Sequence, residues 1–348
     1  MDRILSGIQQ VGLGVANAQE AFEWYKKYLG FDVVVFKDEA TATLMQQYTG
    51  NAPHERLAIL ALNLQGGGGI EFWQYKNRTP SAANFIVQLG DLGIFAIKIK
   101  CRDILKAYNF FYKEQVTILS TPQKNEIGFL HFFIKDLYGN ILELIEANDF
   151  FASTKNSTAG VCGVIIGVAN IAESIQFYKN ILAYDVVVAE ETGVYKNWEN
   201  IVGGKHECKR ALLTHSQKRT GAFANLFGST QIELVQVLDR VPQKIYANRY
   251  WGDLGFIHVC FDINGMKSHD KICTHFNFPL TVNSGNSFDM GNAAGQFSYN
   301  EDPDGTLIEY VETHKVPILK KLGIYLNLKK RNPAKPLPNW VIKCLKFL

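Results

Sequence analysis

The sequence predicts an α+β fold built from four βαβββ modules, and three observations carry that prediction. The first is a duplication. "GVAN" occurs at Gly14–Asn17 and at Gly167–Asn170, Trp24–Tyr25 is answered by Phe177–Tyr178, and "DVVV" stands at Asp32–Val35 and Asp185–Val188, all 153 residues apart. The second is a further series of echoes. "GDLG" at Gly90–Gly93 returns at Gly252–Gly255 after 162 residues, and "DLYGNILE" (Asp136–Glu143) resembles "DPDGTLIE" (Asp302–Glu309) after 166. The drift in offset places loop insertions in the second half. The third is that each half is itself double, repeating one order of strand, helix and strands.

The elements follow in that order. Each half opens on an apolar strand, "QQVGLGV" or "GVIIGV". An amphipathic helix comes next, "NAQEAFEWYKKYLG" or "NIAESIQFYKNILA", capped by Asn17 or Asn170. A β-branched strand and two more strands close the first module, ending in "GIEFWQ" or "QIELVQ". The second module of each half starts with "IFAIKIK" or "FIHVCFDI" and ends with a strand pair, "GNILELIE" or "GTLIEYVE". The DLYG and DPDG stretches are hairpin turns in which Gly supplies a positive φ. The boundaries expected are residues 1–150 for modules one and two, 158–314 for modules three and four, and 315–348 for a basic amphipathic C-terminal extension. In that extension Ile318, Leu319, Leu322, Tyr325 and Leu326 fall at helical spacing. A second short helix with Trp340, Leu345 and Phe347 is expected after "NPAKPLP".

Composition bounds the rest. A chain of 348 residues, 47% hydrophobic and 20% charged, is long enough for two globular domains. It has no apolar run of transmembrane length, and "MDRILSGIQQ" lacks a signal-peptide core. Six scattered cysteines without a CxxC pair read as free thiols in a reducing cytoplasm. Nine of the 36 Lys and Arg residues lie from Lys315 onward, where no Asp or Glu occurs. The body is therefore mildly acidic, which argues against nucleic-acid binding. The tail has two readings: attachment to an anionic membrane surface or protein partner, or an appendage packed on the body with its lysines in water.

The four-module pattern resembles the vicinal-oxygen-chelate superfamily, which includes glyoxalase I, extradiol dioxygenases and bleomycin-resistance proteins. The opening strand with its "FYK" helix and the D-x-x-G-N/T-x-x-E close carry the resemblance, which runs from about Ile8 to Thr313. It implies that modules pair edge to edge into two cupped mixed-sheet barrels. It also implies a metal held by residues on the first and last strands of paired modules.

Strand parity locates the matching positions. Val259, Phe261 and Ile263 share a helix-facing side, as do Val11, Leu13 and Val15. His258, Cys260 and Asp262 then face the cup, as does Gln10, while Ala96 and Gly163 hold the equivalent places in modules two and three. The last strands carry Glu71, Glu143, Glu233 and Glu309, and a carboxylate in an apolar strand demands a partner. Two pairings are open. Modules one and four together gather Gln10, Glu71, His258 and Glu309, a ligand set like that of zinc-dependent glyoxalase I in the same strand order. Sequential pairing instead offers Glu233, His258 and Glu309. Either set suits one divalent metal: Zn²⁺, Ni²⁺, Co²⁺, Mn²⁺ or Fe²⁺.

By the resemblance, Glu309 and Glu71 are the catalytic carboxylates, moving a proton α to a carbonyl on a small substrate chelated through adjacent oxygens. Arg78 in "YKNRTP" and Trp73, two residues past Glu71, are candidate substrate contacts. Two other functions fit the pattern. One is a metal-free binding protein of bleomycin-resistance type. The other is a non-haem iron dioxygenase, for which His131 is a candidate second histidine. A four-module chain completes its cups alone, so a monomer or homodimer is expected.

Overall fold

The computed structural model describes residues 3–285, 288–289, 294–319 and 324–347. Module one comprises β1 (Ile4–Gly14), α1 (Ala18–Leu29), β2 (Val33–Thr41), β3 (Glu55–Leu62) and β4 (Gly69–Tyr75). Module two comprises β5 (Gly93–Cys101), α2 (Ile104–Lys113), β6 (Gln123–Lys124), β7 (Leu130–Lys135) and β8 (Ile141–Glu146). Module three comprises β9 (Thr158–Gly167), α3 (Ile171–Leu182), β10 (Val186–Gly193), β11 (Cys208–Thr214), α4 (Ala224–Phe227) and β12 (Gln231–Val237). Module four comprises β13 (Gly255–Asn264), α5 (Met266–His275), β14 (Val282–Asn283), β15 (Phe288–Asp289), β16 (Ala294–Glu301) and β17 (Leu307–Leu319). The tail adds β18 (Ile324–Asn327) and α6 (Asn339–Lys343).

These strands make two curled mixed sheets, and each unites an outer or an inner pair of modules. The first runs β14-β16-β17-β13-β1-β4-β3-β2, with β15 on β16 and β18 on β17, and so joins modules one and four. The second runs β10-β11-β12-β9-β5-β8-β7-β6 and joins modules two and three. The seams are the antiparallel pairs β1–β13, where Gln10 faces Cys260 and Gly12 faces His258, and β5–β9, where Lys98 faces Gly163.

The helix-facing parity holds. Val11, Leu13, Val15, Val259, Phe261 and Ile263 all lie in one core, shared with Val164, Ile166, Leu142 and Leu144 of the second sheet. Two repeated motifs tie the sheets together. Tyr25 of α1 donates to Asp136 Oδ2 at 3.0 Å, and Tyr178 of α3 donates to Asp302 Oδ2 at 3.0 Å. The other oxygen of each aspartate accepts backbone N–H groups of its own turn, from Tyr138 and Asn140 or from Asp304 and Thr306. The recurrent tyrosine and the recurrent D-x-x-G turn are thus two ends of one buried cross-link, joining module one to two and three to four. Both helix caps form as expected, with Asn17 accepting from Gln19 and Glu20 and Asn170 from Ala172 and Glu173.

The tail departs from its expected course. The segment with Ile318, Leu319, Tyr325 and Leu326 is strand, not helix: β17 continues to Leu319 and pairs with β18, Val316 opposite Leu326. Leu322 lies outside the described residues. β17 is already under way at Leu307, and pairing with β18 satisfies the backbone of its extension in the strand form. The second helix does form as α6, followed by a 3-10 turn at Cys344–Phe347. Val341, Ile342 and Leu345 pack inward against Leu337, Phe223 and Phe227. Trp340 and Phe347 point outward, 62% and 71% exposed. All six cysteines are unpaired, and among the described residues no helix is long and apolar enough to cross a membrane.

Candidate metal centre

The seam of the first sheet brings four polar side chains to one point. Gln10 comes from β1, Glu71 from β4, His258 from β13 and Glu309 from β17, and all four are buried. Ligand atoms of Glu71, His258 and Glu309 lie within 4.8 Å of one another. His258 Nε2 stands 3.0 Å from Glu309 Oε2 and 3.7 Å from Glu71 Oε2. Gln10 Nε2 donates to Glu71 Oε2 at 3.3 Å and to Glu309 Oε2 at 3.4 Å.

The donor set is left short of partners. Gln10 Oε1 and both ring nitrogens of His258 are buried without a hydrogen bond, even though a carboxylate oxygen lies 3.0 Å from Nε2. The imidazole N–H is therefore poorly aligned with that oxygen. Buried polar atoms are seldom orphaned, and each carries a desolvation cost. Two carboxylates, an imidazole and an amide suit a divalent cation of the first transition row, and turning the Gln10 amide by 180° presents its oxygen to the same point. The residues fit the implied metal.

Charge is short as well. Burial, then the charge of Glu309, pushes the Glu71 carboxyl up to about 7, against the opposing pull of His258 and Arg56. Burial acts upward on Glu309 too, but His258, Tyr299 and Cys260 outweigh it and hold this carboxyl below its usual range. Burial disfavours the His258 cation, yet Glu309 and Glu71 raise its pKa overall. The two glutamates are thus unequal.

Three supporting residues escaped the sequence reading. Tyr299, opposite Glu309 across β16 and β17, donates to Glu309 Oε1 at 2.7 Å. Trp251 stacks parallel to His258, the planes 11° apart. Gly12 faces His258 so closely that a Cβ there would lie 2.4 Å from its Cε1. The tyrosine lay on the cup-facing parity of its strand and was legible; the other two are contacts between distant segments.

The remaining candidates lie elsewhere. Glu233 is in the second sheet, where Lys98 Nζ stands 2.6 Å from Glu233 Oε2 and 2.6 Å from Glu143 Oε2. Arg210 also pairs with Glu233, and His131 Nδ1 lies 2.6 Å from Glu143 Oε1. Neither Glu233 nor His131 joins His258. Arg78 binds Asp253 Oδ1 at 2.6 Å and stacks on Tyr75 and Tyr250, away from the cavity over the centre. Trp73 packs edge-on against Tyr75 and Trp251 in a buried cluster and is no wall of that cavity.

Residues 7–144 match the family model of the Glyoxalase/Bleomycin resistance protein/Dioxygenase superfamily. The structure is similar to glyoxalase I from Zea mays, with a TM-score of 0.52 at 14% identity over 88% of this chain and 92% of that one. It is also similar to a putative dioxygenase from Bacillus subtilis, with a TM-score of 0.57 at 14% identity over 89% and 86%. At such identities the likeness is one of fold. No curated protein matches the chain in sequence.

Proposed function

Taking as premise that the chain belongs to the glyoxalase, bleomycin resistance and dioxygenase superfamily, we propose that it is a metal-dependent lyase or isomerase. It would move a proton on the carbon next to a carbonyl. The observation that carries this reading is the convergence of Gln10, Glu71, His258 and Glu309 in one cup, with buried donor atoms left unpartnered. A divalent ion bound there would draw in two adjacent oxygens of a substrate and stabilise the negative charge that develops on them.

The chain's own residues then divide the work. Glu309, held ionised by His258 and Tyr299, serves as a ligand. Glu71, the less firmly ionised of the two carboxylates, is the one assigned to take and return the proton as general base. His258 is fixed by the stacked Trp251 ring and by the glycine beneath it. A two-histidine iron site finds less support, because His131 is bonded to Glu143 in the other cup.

The test is metal content by mass spectrometry on tag-free protein, followed by assays on hemithioacetals and on α-carbonyl epimers. One divalent ion per chain and turnover lost in Glu71→Gln support the proposal. Metal-free protein that still binds small apolar ligands replaces it with the sequestering function.

A further inference from the structure

The cavity over the metal centre has walls of one chemical character. It holds about 890 Å³ of empty space, counting its open mouth, and Gln10, Glu71 and Glu309 form its floor. Its sides are apolar, Phe36 and Leu60 from module one facing Phe297 and Val311 from module four. Its roof comes from the other sheet. Residues 215–230, between β11 and β12, make a longer connection than 63–68, the counterpart between β3 and β4. That extra length holds α4, which places Leu226 and Phe227 over the cavity. The roof is fixed in place, since Gly67 N–H donates to the Leu226 carbonyl at 2.7 Å. The tail closes a further side with Leu345.

Charge is almost absent from these walls. Among the described lining residues Lys315 is the one cation and no arginine occurs, and the Lys315 ammonium already lies 3.9 Å from the ring centre of Tyr325. Burying two or more substrate carboxylates here would leave them without partners, which is costly. Burying an alkyl or aryl group against the same walls is favourable in proportion to its area.

Resting on the metal-site reading above, we infer that the substrate is a largely apolar molecule with two adjacent oxygens at one end and at most one negative charge. A polyanionic thiol conjugate does not fit. The extended α4 connection and the C-terminal tail, both outside the four-module pattern, are the parts that set this specificity.

Hydroxamates present two adjacent oxygens to a metal and so serve as probes. Titration calorimetry on the metal-loaded full chain compares acetohydroxamate, octanohydroxamate and a glutathione-derived hydroxamate. The octanoyl compound is expected to bind at least ~100-fold more tightly than the acetyl one, six methylenes being worth more than that when fully buried. Leu345→Asp and Phe227→Asp should each cut this ratio of octanoyl to acetyl affinity at least ~10-fold. The wild-type chain-length series needs no variant to fold. Affinity independent of chain length, or tightest for the glutathione compound, overturns the inference and leaves the metal site standing. Tight octanoyl binding that survives chelation and Glu71→Gln keeps the apolar substrate class and overturns the metal reading. Absence of both metal and hydroxamate binding overturns both.

Discussion

Glu71 and Glu309 in one cup correspond, strand for strand, to Glu233 and Glu143 in the other, yet the two pairs are neutralised by different means. In the inner cup the cation is a side chain. Lys98 reaches between Glu143 and Glu233 at 2.6 Å from each, and Arg210 adds a second positive charge. Both carboxyls are driven below their usual range; burial pushes the other way, but Lys98 with His131 brings Glu143 down to about 2, and Arg210 with Lys98 lowers Glu233. In the outer cup the strand position of Lys98 is held by Cys260, and among the described residues no lysine or arginine forms an ion pair with Glu71 or Glu309, Arg56 acting on Glu71 only from its own pair with Asp38. His258 alone faces two carboxylates, and Glu71 rises to about 7. A duplicated pair of buried glutamates needs positive charge in both places. One copy supplies it from within and becomes an ion cluster that holds structure; in the other, on the function proposed above, a bound cation would supply it. The glycine at position 163 follows from this. A Cβ there would lie 3.0 Å from Lys98 Cδ and 2.5 Å from the Gln231 carbonyl oxygen, so the side chain present in the outer cup as Gln10 has no room in the inner one.

The largest expected effect comes from breaking the inner cluster. Lys98→Met leaves two buried carboxylates facing each other and should cost about 3–5 kcal/mol in denaturant unfolding. A loss below about 1 kcal/mol would contradict the assigned role. Wild-type stability from this cup should also depend on acid. Glu143 has its folded pKa depressed, so its contribution is complete above the ordinary carboxylate value and is lost as pH falls from there toward about 2. Gly12→Ala strikes the outer cup instead. Its methyl group meets the buried His258 ring, so metal affinity should fall about 10–100-fold, as for other losses of ligand positioning, and the overpacked ring should also cost about 1–3 kcal/mol of stability.

Smaller effects sharpen the contrast. Tyr25→Phe and Tyr178→Phe each leave a buried aspartate short of one donor, and each should destabilise by about 1–2 kcal/mol, affecting neither cup's charge. Metal uptake should be proton-linked in the outer cup. With its pKa raised to about 7, metal-free Glu71 is protonated below neutrality and must lose that proton to act as a ligand. His258, whose pKa is also raised, must lose its proton as well, so affinity should fall by at least about tenfold per pH unit below 7, with about one to two protons released per ion, measured by calorimetry in buffers of differing ionisation heat. Uptake independent of pH between 5 and 7, on the order of a full window for this group, would contradict the assignment. Tyr299→Phe is the mildest change. Loss of its hydrogen bond should weaken metal binding or turnover about 3–10-fold.

Much of this was legible in the sequence, for physical reasons. Repeats at fixed offsets give the modules, and period-two parity gives the faces of β1 and β13, because a half-buried strand cannot change register without exposing its core side. Lys98 was missed, although it stands two residues after Ala96 in "IFAIKIK" and so shares its face. The choice between pairings was not legible, since the β1–β13 and β5–β9 seams are non-local and each strand edge suits either partner. Arg78 and Trp73 lay near Glu71 in sequence, but Asp253, Trp251 and Tyr250 of module four's approach segment take them up. The tail misled because a short apolar run has no length to separate a period of 3.6 from a strand.

Metal stoichiometry in wild type and two variants decides whether the outer cup alone holds a cation. Tag-free protein, His258→Ala and Glu233→Gln are compared by native mass spectrometry under equal metal loading. One divalent ion per chain is expected in wild type and in Glu233→Gln, and none in His258→Ala. An ion retained by His258→Ala and lost in Glu233→Gln, or two ions in wild type, would contradict it.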